Sequence, residues 1–127
     1  MKAIFINVET QTVEFVEIQP GLHAIYEKIG NDCHMVECPL QYENGDLMYC
    51  DEEGYFKPQT GGFYYPDWVT PITGNALIIG TDSRNGNSIS CKSKLEDFQA
   101  GIKFLKSKIM NKIQEIVENT PPTIIGW

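Results

Sequence analysis

Residues 74–82 read "GNALIIGTD", a short apolar run between two glycines. Consecutive apolar residues without alternation are typical of a strand that is buried on both of its faces. An Asn-Gly turn follows within 83–87, and "SISC" at 88–91 is predicted to return as an edge strand. The sequence therefore places a buried strand late in the chain, and other strands must flank it.

Two earlier pairs of segments supply such strands. "KAIFINVE" (2–9) and "TVEFVEIQ" (12–19) are rich in Ile, Val and Phe, and the short gap between them predicts a hairpin. "CHMVECPL" (33–40) and "GDLMYCDEEG" (45–54) form a second predicted hairpin, because Asn44-Gly45 between them tolerates the positive φ of a tight turn. Hairpins favour antiparallel pairing.

Two helices are predicted. Leu22, Ile25, Tyr26 and Ile29 lie on one face of a short amphipathic helix that ends at Gly30. The second helix is predicted over residues 93–118, where Ser93 and Glu96 have the spacing of a capping box. Its apolar stripe recurs at steps of three and four residues: Leu95, Phe98, Ile102, Leu105, Ile109, Ile113 and Ile116.

The connection "YFKPQTGGFYYPDWVTPIT" is predicted to be a loop, because it carries three prolines and two glycines. Within it, "GGFYYPDW" (61–68) holds the densest aromatics of the chain. We interpret these rings chiefly as a plug that closes the core, and a ring left exposed is the best candidate for a contact surface. The candidate contact residues are Tyr64, Tyr65, Trp68 and, from the 83–87 turn, Arg84.

These elements predict one α+β domain with a small antiparallel or mixed sheet, which could curl into a partial barrel. One short helix and one long C-terminal amphipathic helix accompany the sheet. Residues 1–92 form the predicted sheet body, 93–118 the helix packed on the same domain, and 119–127 an apolar tail.

The charge of the chain is uneven. The 127 residues have a formal net charge of −7, but residues 1–82 hold 3 lysines against 13 acids, a net of −10, and residues 83–127 are at +3. An acidic body argues against nonspecific nucleic-acid binding, which depends on cationic contacts to phosphate. No apolar run reaches the roughly 18 residues of a membrane span, and we see no signal peptide. We expect a cytoplasmic protein, in the host cytosol if a phage encodes it.

Motifs that would predict catalysis or metal binding are weak. Cys33, His34, Cys38 and Cys50 lack a standard zinc spacing, and side chains alternate along a strand, so we expect free buried thiols and no metal. No phosphate-binding glycine loop or nucleophile elbow occurs. The acids at 51–53 are expected to form a solvated turn. The pattern therefore leans away from an enzyme, and it predicts no cofactor.

Several segments, taken in order, resemble the family of small proteins that carry the domain of unknown function 3846. The best matching parts are "CDEEG" with the Lys and Pro that follow it, and the later "GNALIIG"; the resemblance covers roughly residues 1–82. It implies a small protein of phages, plasmids and conjugative elements, and it implies no catalytic residue, because the family has no assigned activity.

The expected function is therefore that of a non-enzymatic accessory protein of a bacterial mobile element. Such a protein would bind a host protein or a small, nucleotide-like signalling molecule, for instance to blunt a defence system. The alternative is an acidic DNA mimic that occupies a DNA-processing protein. A homo-oligomer is compatible with either, through apolar residues of the C-terminal region: Ile102, Leu105, Ile109, Ile124 and Trp127.

Overall fold

The computed structural model describes residues 1–58, 61–65 and 70–106, together with Lys112, Glu115 and Ile116. Two helices have defined bounds there, α1 (Leu22–Ile29) and α2 (Leu95–Gly101); Lys112, Glu115 and Ile116 are also helical, and Gly54–Phe56 forms a single 3-10 turn. The strands are β1 (Lys2–Asn7), β2 (Thr12–Glu17), β3 (Val36–Gln41), β4 (Leu47–Asp51), β5 (Gly61–Tyr64), β6 (Ile72–Thr73), β7 (Ala76–Thr81), β8 (Ser88–Ile89) and β9 (Lys103–Lys106).

The larger sheet has the order β2-β1-β7-β4-β3, and every pair is antiparallel. Strand β7 lies at its centre, where Ile78 is opposite both Ile4 of β1 and Met48 of β4. Residues 76–80 are all buried, as the apolar run "ALIIG" predicts for a strand covered on both faces. The short strand β8 pairs with the end of β7.

Helix α1 covers one face of the larger sheet. Ile25 and Ile29 point into that layer and are fully buried, and each stabilises the fold by about 2 kcal/mol. Leu22, on the same predicted face, stays exposed, since it lies in the first turn of the helix. The buried layer between helix and sheet consists of Ala3, Phe5, Ile18, Ile25, Ile29, Cys33, Leu77 and Ile79.

The opposite face is covered by a second sheet, of order β6-β5-β9, and by α2. Phe63 of β5 and Phe98 of α2 are its largest buried rings. The backbone is crowded at Gly61, where a methyl group would lie 2.9 Å from the Leu105 carbonyl of the neighbouring strand β9 and 3.0 Å from the Val8 carbonyl, just after β1 of the larger sheet. Only glycine fits that approach without a shift of the backbone.

The long C-terminal helix of the sequence prediction is wrong. Helix α2 ends at Gly101, and the next residues form strand β9, in which Phe104 lies opposite Phe63. Glycine weakens the helix there, and "KFLK" pairs with β5 instead. Ile102 and Leu105 are half-buried, and Ile116 is exposed. Ile109, Ile113 and the 119–127 tail lie outside the described residues.

Three smaller predictions are also wrong. Ser93 and Glu96 make no capping box, because α2 begins after Lys94 without a side-chain cap. The connection at 55–73, predicted to be a loop, contains strands β5 and β6. A single, partly closed barrel is also wrong, since the strands form two separate sheets.

Both outer strands of the larger sheet are modified at their edges. Gln99 of α2 donates a hydrogen bond from Nε2 to the Val13 carbonyl of β2 at 3.0 Å. Strand β3 carries Pro39 and shifts its register between Glu37 and Leu40. Such features discourage pairing with a further strand. Among the described residues, no helix combines the length and the apolar character needed to cross a membrane.

Candidate functional site

A buried aspartate organises the region where β4 begins. Asp46 is 0% exposed, and its carboxylate accepts hydrogen bonds from the backbone N–H groups of Lys92 and Ser93 at 3.0 Å and 2.8 Å. The Ser93 hydroxyl donates a third bond at 2.6 Å. Asn44 in the preceding turn donates to the same hydroxyl at 3.0 Å. Segment 92–93, which leads into α2, is therefore held firmly against the β3–β4 turn.

A cluster of three rings lies next to this junction. Tyr42 meets Tyr65 and Phe98 edge-on, with ring centroids 6.2 Å and 5.6 Å apart. Tyr65 and Phe98 are 5.9 Å apart and tilted by 37°. The rings come from the end of β3, the end of β5 and α2, and edge-to-face contacts of this kind stabilise their mutual orientation.

These rings line an open groove of about 420 Å³. Polar and charged residues complete its lining: Glu43, Asn44, Lys92, Ser93, Lys94 and Asp97. Both lysines are exposed, and neither forms an ion pair with a carboxylate in the described part of the chain. We call this feature the aromatic groove. Within the described part of the chain, it offers the partly exposed rings of Tyr42 and Tyr65, two ammonium groups without an ion pair and two carboxylates to a ligand.

The hydroxyl of Tyr42 is buried beneath the groove. No described residue meets it in hydrogen-bonding geometry. Burial raises the pKa of Tyr42 well above its usual range, and the neighbouring Tyr65 adds to the effect. The phenol therefore remains neutral, and its role in the groove is that of an aromatic surface.

The predicted contact residues are dispersed. Tyr65 lines the groove, whereas the adjacent Tyr64 is 37% exposed and lies outside it. Arg84 lies in the β7–β8 turn, where it pairs with Asp82 at 3.1 Å through Nη2 and 3.2 Å through Nε. That hydrogen bonding lowers the pKa of Asp82. Trp68 lies outside the described residues.

Sequence reasoning missed most of the groove. From sequence, Phe98 belongs only to an apolar helix stripe, and Tyr42 lies in the connection between the two strands of the second predicted hairpin. The lysines at 92 and 94 were counted within the basic C-terminal part. A signal was present in "CKSK", an alternating basic segment directly before a helix, but nothing local links it to Tyr42 or Tyr65.

The other end of β4 contains the "CDEEG" segment. Asp51 is buried, and Lys57 pairs with it at 2.7 Å while also donating to the Asn31 carbonyl at 2.8 Å. The Glu53 N–H donates to Asp51 at 2.9 Å, which closes a turn. A methyl group at Gly54 would overlap the Thr73 hydroxyl. The acidic segment, expected to be a solvated turn, is thus anchored by a buried ion pair.

The cysteines have separate surroundings. The Cys33, Cys38 and Cys50 thiols donate to the Met35 carbonyl, the Leu40 carbonyl and the Glu37 carboxylate, respectively. Burial raises the pKa of all three thiols, which makes them poor nucleophiles at neutral pH. In the part of the chain that the structure describes, no group of three or more His, Cys, Asp or Glu side chains could hold a metal ion.

The histidines are both exposed. His23 pairs with Glu27 at 3.0 Å on the surface of α1, and His34 pairs with Glu53 at 3.1 Å. Neither faces a thiol or hydroxyl partner in the hydrogen bonds of the described residues, so neither forms part of a nucleophile–base pair there.

Comparison with known proteins places these features in a family. No curated protein and no solved structure matches the chain significantly. A family match does cover residues 1–103, and so it includes both ends of β4, α2 and the residues that line the aromatic groove. The chain therefore belongs to the family described as domain of unknown function (DUF3846).

Proposed function

We propose that this protein is a non-enzymatic binding protein that uses the aromatic groove as its contact site. We further propose that it is an accessory protein of a phage or plasmid and that it binds a host protein or a small signalling molecule, with blunting of a host defence as its purpose. The observation that carries the binding function is the groove itself, which is lined by the partly exposed rings of Tyr42 and Tyr65 and by two exposed lysines that pair with no carboxylate of the described residues.

The position of the groove also supports binding. Its backbone is held by Asp46 and its rings by mutual contacts, so little order has to be imposed when a ligand enters. A site that is organised in advance loses less entropy on binding. The thiols with raised pKa and the surface-paired histidines favour binding over catalysis.

The acidic DNA mimic receives less support. Asp46 and Asp51 are buried, and Asp82 is bound by Arg84, so these carboxylates serve the fold and cannot imitate phosphates on the surface. A mimic needs its acids exposed along an extended face. The other exposed acids of the described residues are distributed over β2, β3, both helices and the turns.

A matched pair of variants tests the binding function. The full chain is screened by thermal unfolding against nucleotides, sugar phosphates, amino acids and purified candidate host proteins. We expect a ligand that raises Tm by several degrees near saturation, on the order of 2–8 °C for a domain of this size. Tyr65→Leu should lose this shift, and the neighbouring Tyr64→Leu should keep it. A ligand that stabilises Tyr65→Leu as strongly as the wild type would contradict the groove as the contact site.

A further inference from the structure

We propose that the aromatic groove binds a small molecule that joins a planar ring to an anionic group, the class to which nucleoside monophosphates belong. This ligand class rests on the binding function proposed above and specifies its chemistry. Three features of the groove carry it: its partly exposed rings, its two lysines, which no carboxylate of the described residues pairs with, and its two carboxylates.

The rings select a planar group of limited size. Tyr42 and Tyr65 line the groove and are partly exposed, so another ring can stack on them, while the buried Phe98 packs behind both rings and holds their orientation. A volume of about 420 Å³ lies within the range of small-molecule sites. It would take a nucleoside, and it is too small to enclose a folded partner.

The lysines select an anion. Lys92 and Lys94 flank Ser93, whose backbone N–H and hydroxyl are both fixed by Asp46. The backbone from which the two lysine side chains extend is therefore held in place before a ligand arrives. Because no described carboxylate pairs with either ammonium, both are available for a phosphate or carboxylate group.

The two carboxylates of the groove require hydrogen-bond donors on the ligand. Glu43 and Asp97 line the same groove, and carboxylates accept hydrogen bonds but cannot donate them when ionised. A matching ligand carries hydroxyl or amino groups beside its anionic group. Ribose hydroxyls and base amino groups satisfy this condition, whereas a simple anion such as inorganic phosphate does not.

The charge of the whole chain disfavours a polymer of the same chemistry. Residues 1–82 carry 3 lysines against 13 acids, and the net charge of the protein is −7. A long polyanion would extend from the groove over this acidic body and be repelled, while a monomer remains near Lys92 and Lys94. We therefore expect a free mononucleotide rather than a nucleic-acid strand.

The test is an NMR titration of the isotope-labelled full chain with AMP and GMP. Adenosine, inorganic phosphate and a short single-stranded oligonucleotide are titrated in parallel. We expect saturable binding of at least one mononucleotide with Kd below about 1 mM, and shifts centred on Tyr42, Tyr65 and residues 92–98. Adenosine and phosphate should each bind at least about tenfold more weakly, and the oligonucleotide more weakly than the monomer.

Two pairs of variants localise the site. The double variant Lys92→Ala, Lys94→Ala should weaken mononucleotide binding at least about tenfold, equivalent to about 1.4 kcal/mol. Its charge-matched control removes Lys103 and Lys106, which are exposed on β9, and should leave Kd within about twofold. Tyr65→Leu should weaken binding about tenfold or more, and Tyr64→Leu should not.

The outcomes separate this inference from the binding function. Absence of saturable mononucleotide binding, shifts that lie away from the groove, or tighter binding of the oligonucleotide would each overturn the ligand class. If another ligand then stabilises the wild type and Tyr64→Leu but not Tyr65→Leu, the proposed binding function is supported although the proposed ligand class is wrong. If every ligand found binds Tyr65→Leu normally, both proposals fail.

Discussion

The two ends of β4 each hold a buried aspartate, and they hold it with different partners. Asp46, just before the strand, is bound by backbone N–H groups and a hydroxyl of segment 92–93. Asp51, the last residue of the strand, is bound by the ammonium of Lys57, six residues further along the chain. The Asp46 carboxylate is thus bound by neutral hydrogen-bond donors from a distant segment, whereas the Asp51 carboxylate is bound by a charged side chain close to it in sequence.

This difference has consequences for function. The Asp46 end joins two remote parts of the chain, and the aromatic groove lies at that junction. The Asp51 end closes its own loop within "CDEEG" and the Lys-Pro that follows. The segment that most suggested the family from sequence is therefore a structural closure, while the ligand-binding proposal depends on the other end. Variants at the two ends should separate stability from binding.

The largest effect is expected for Asp46→Ala. The change leaves the N–H groups of Lys92 and Ser93 without an acceptor in a partly buried position, so we expect a loss of about 4 kcal/mol in the free energy of unfolding. Urea unfolding measures it. Ser93→Ala removes only the hydroxyl donor and should cost about 1 kcal/mol. A loss below about 1 kcal/mol for Asp46→Ala would show that the junction does not depend on this carboxylate.

The second effect is expected for Lys57→Met. It leaves the Asp51 carboxylate, whose side chain is only 3% exposed, without its cation, and we expect a loss of about 3 kcal/mol. A double-mutant cycle with Asp51→Asn checks the cause. The double variant should recover part of the loss, with a coupling energy of at least about 1 kcal/mol. Purely additive losses would mean that the ion pair itself contributes little.

Lys57→Met and Asp46→Ala should also differ in their effect on ligand binding. Lys57→Met should leave the affinity of any groove ligand unchanged under conditions where the variant is folded, because the ion pair does not line the groove. Asp46→Ala should weaken it, because segment 92–94 loses its anchor. Equal effects of the two changes on affinity would contradict the separation.

The sequence predicts the elements that depend on local patterns and misses those that depend on contacts between distant segments. The buried run "ALIIG", the hairpins and the helix at 22–29 depend on periodicity and turn residues that lie within one segment. Strand β9 was missed because Phe98, Ile102 and Leu105 have helical spacing as well, and its partner β5 is about forty residues earlier. Only the fold shows which pattern prevails.

The groove was hard to predict for the same reason. Tyr42, Tyr65 and Phe98 come from three separate segments, and only Tyr65 was among the predicted contact residues. The contact between Asp46 and Ser93 spans 47 positions. Ser93 was interpreted as a helix cap because the spacing to Glu96 fits that motif, but a buried carboxylate is a stronger acceptor for its hydroxyl than solvent.

The third effect is expected for Gly54→Ala in the loop at the Asp51 end. The added methyl group would overlap the Thr73 hydroxyl, so we expect a loss of about 2 kcal/mol. Adding Thr73→Ala removes the overlapping oxygen and should restore part of this loss relative to Thr73→Ala alone. If the second change restores nothing, the cost of Gly54→Ala lies in the backbone and not in this contact.

The smallest effect is expected in the pH dependence of the Asp51 end. Burial raises the pKa of Glu37, and the nearby charges of Glu52 and Asp51 add to this, while the Cys50 thiol opposes it by donating a hydrogen bond. A raised pKa means that the folded state holds this proton more tightly than the unfolded state. The stability it contributes is therefore present below the ordinary pKa of 4.5 and is lost as the pH rises through the folded-state pKa.

Glu37→Gln removes this titration, so the loss of stability on raising the pH from about 4 to about 7 should become smaller than in the wild type. Urea midpoints across that range measure the slope. Cys50→Ala should act in the opposite direction, because it removes the hydrogen-bond donor that lowers the Glu37 pKa. The stability of this variant should therefore fall more steeply with pH than that of the wild type. The loss of packing around Cys50 lowers the stability of that variant equally at every pH, so it does not affect the change in stability between pH values. If both variants keep the wild-type slope, Glu37 does not titrate with folding, and the contrast between the ends of β4 rests on Lys57 alone.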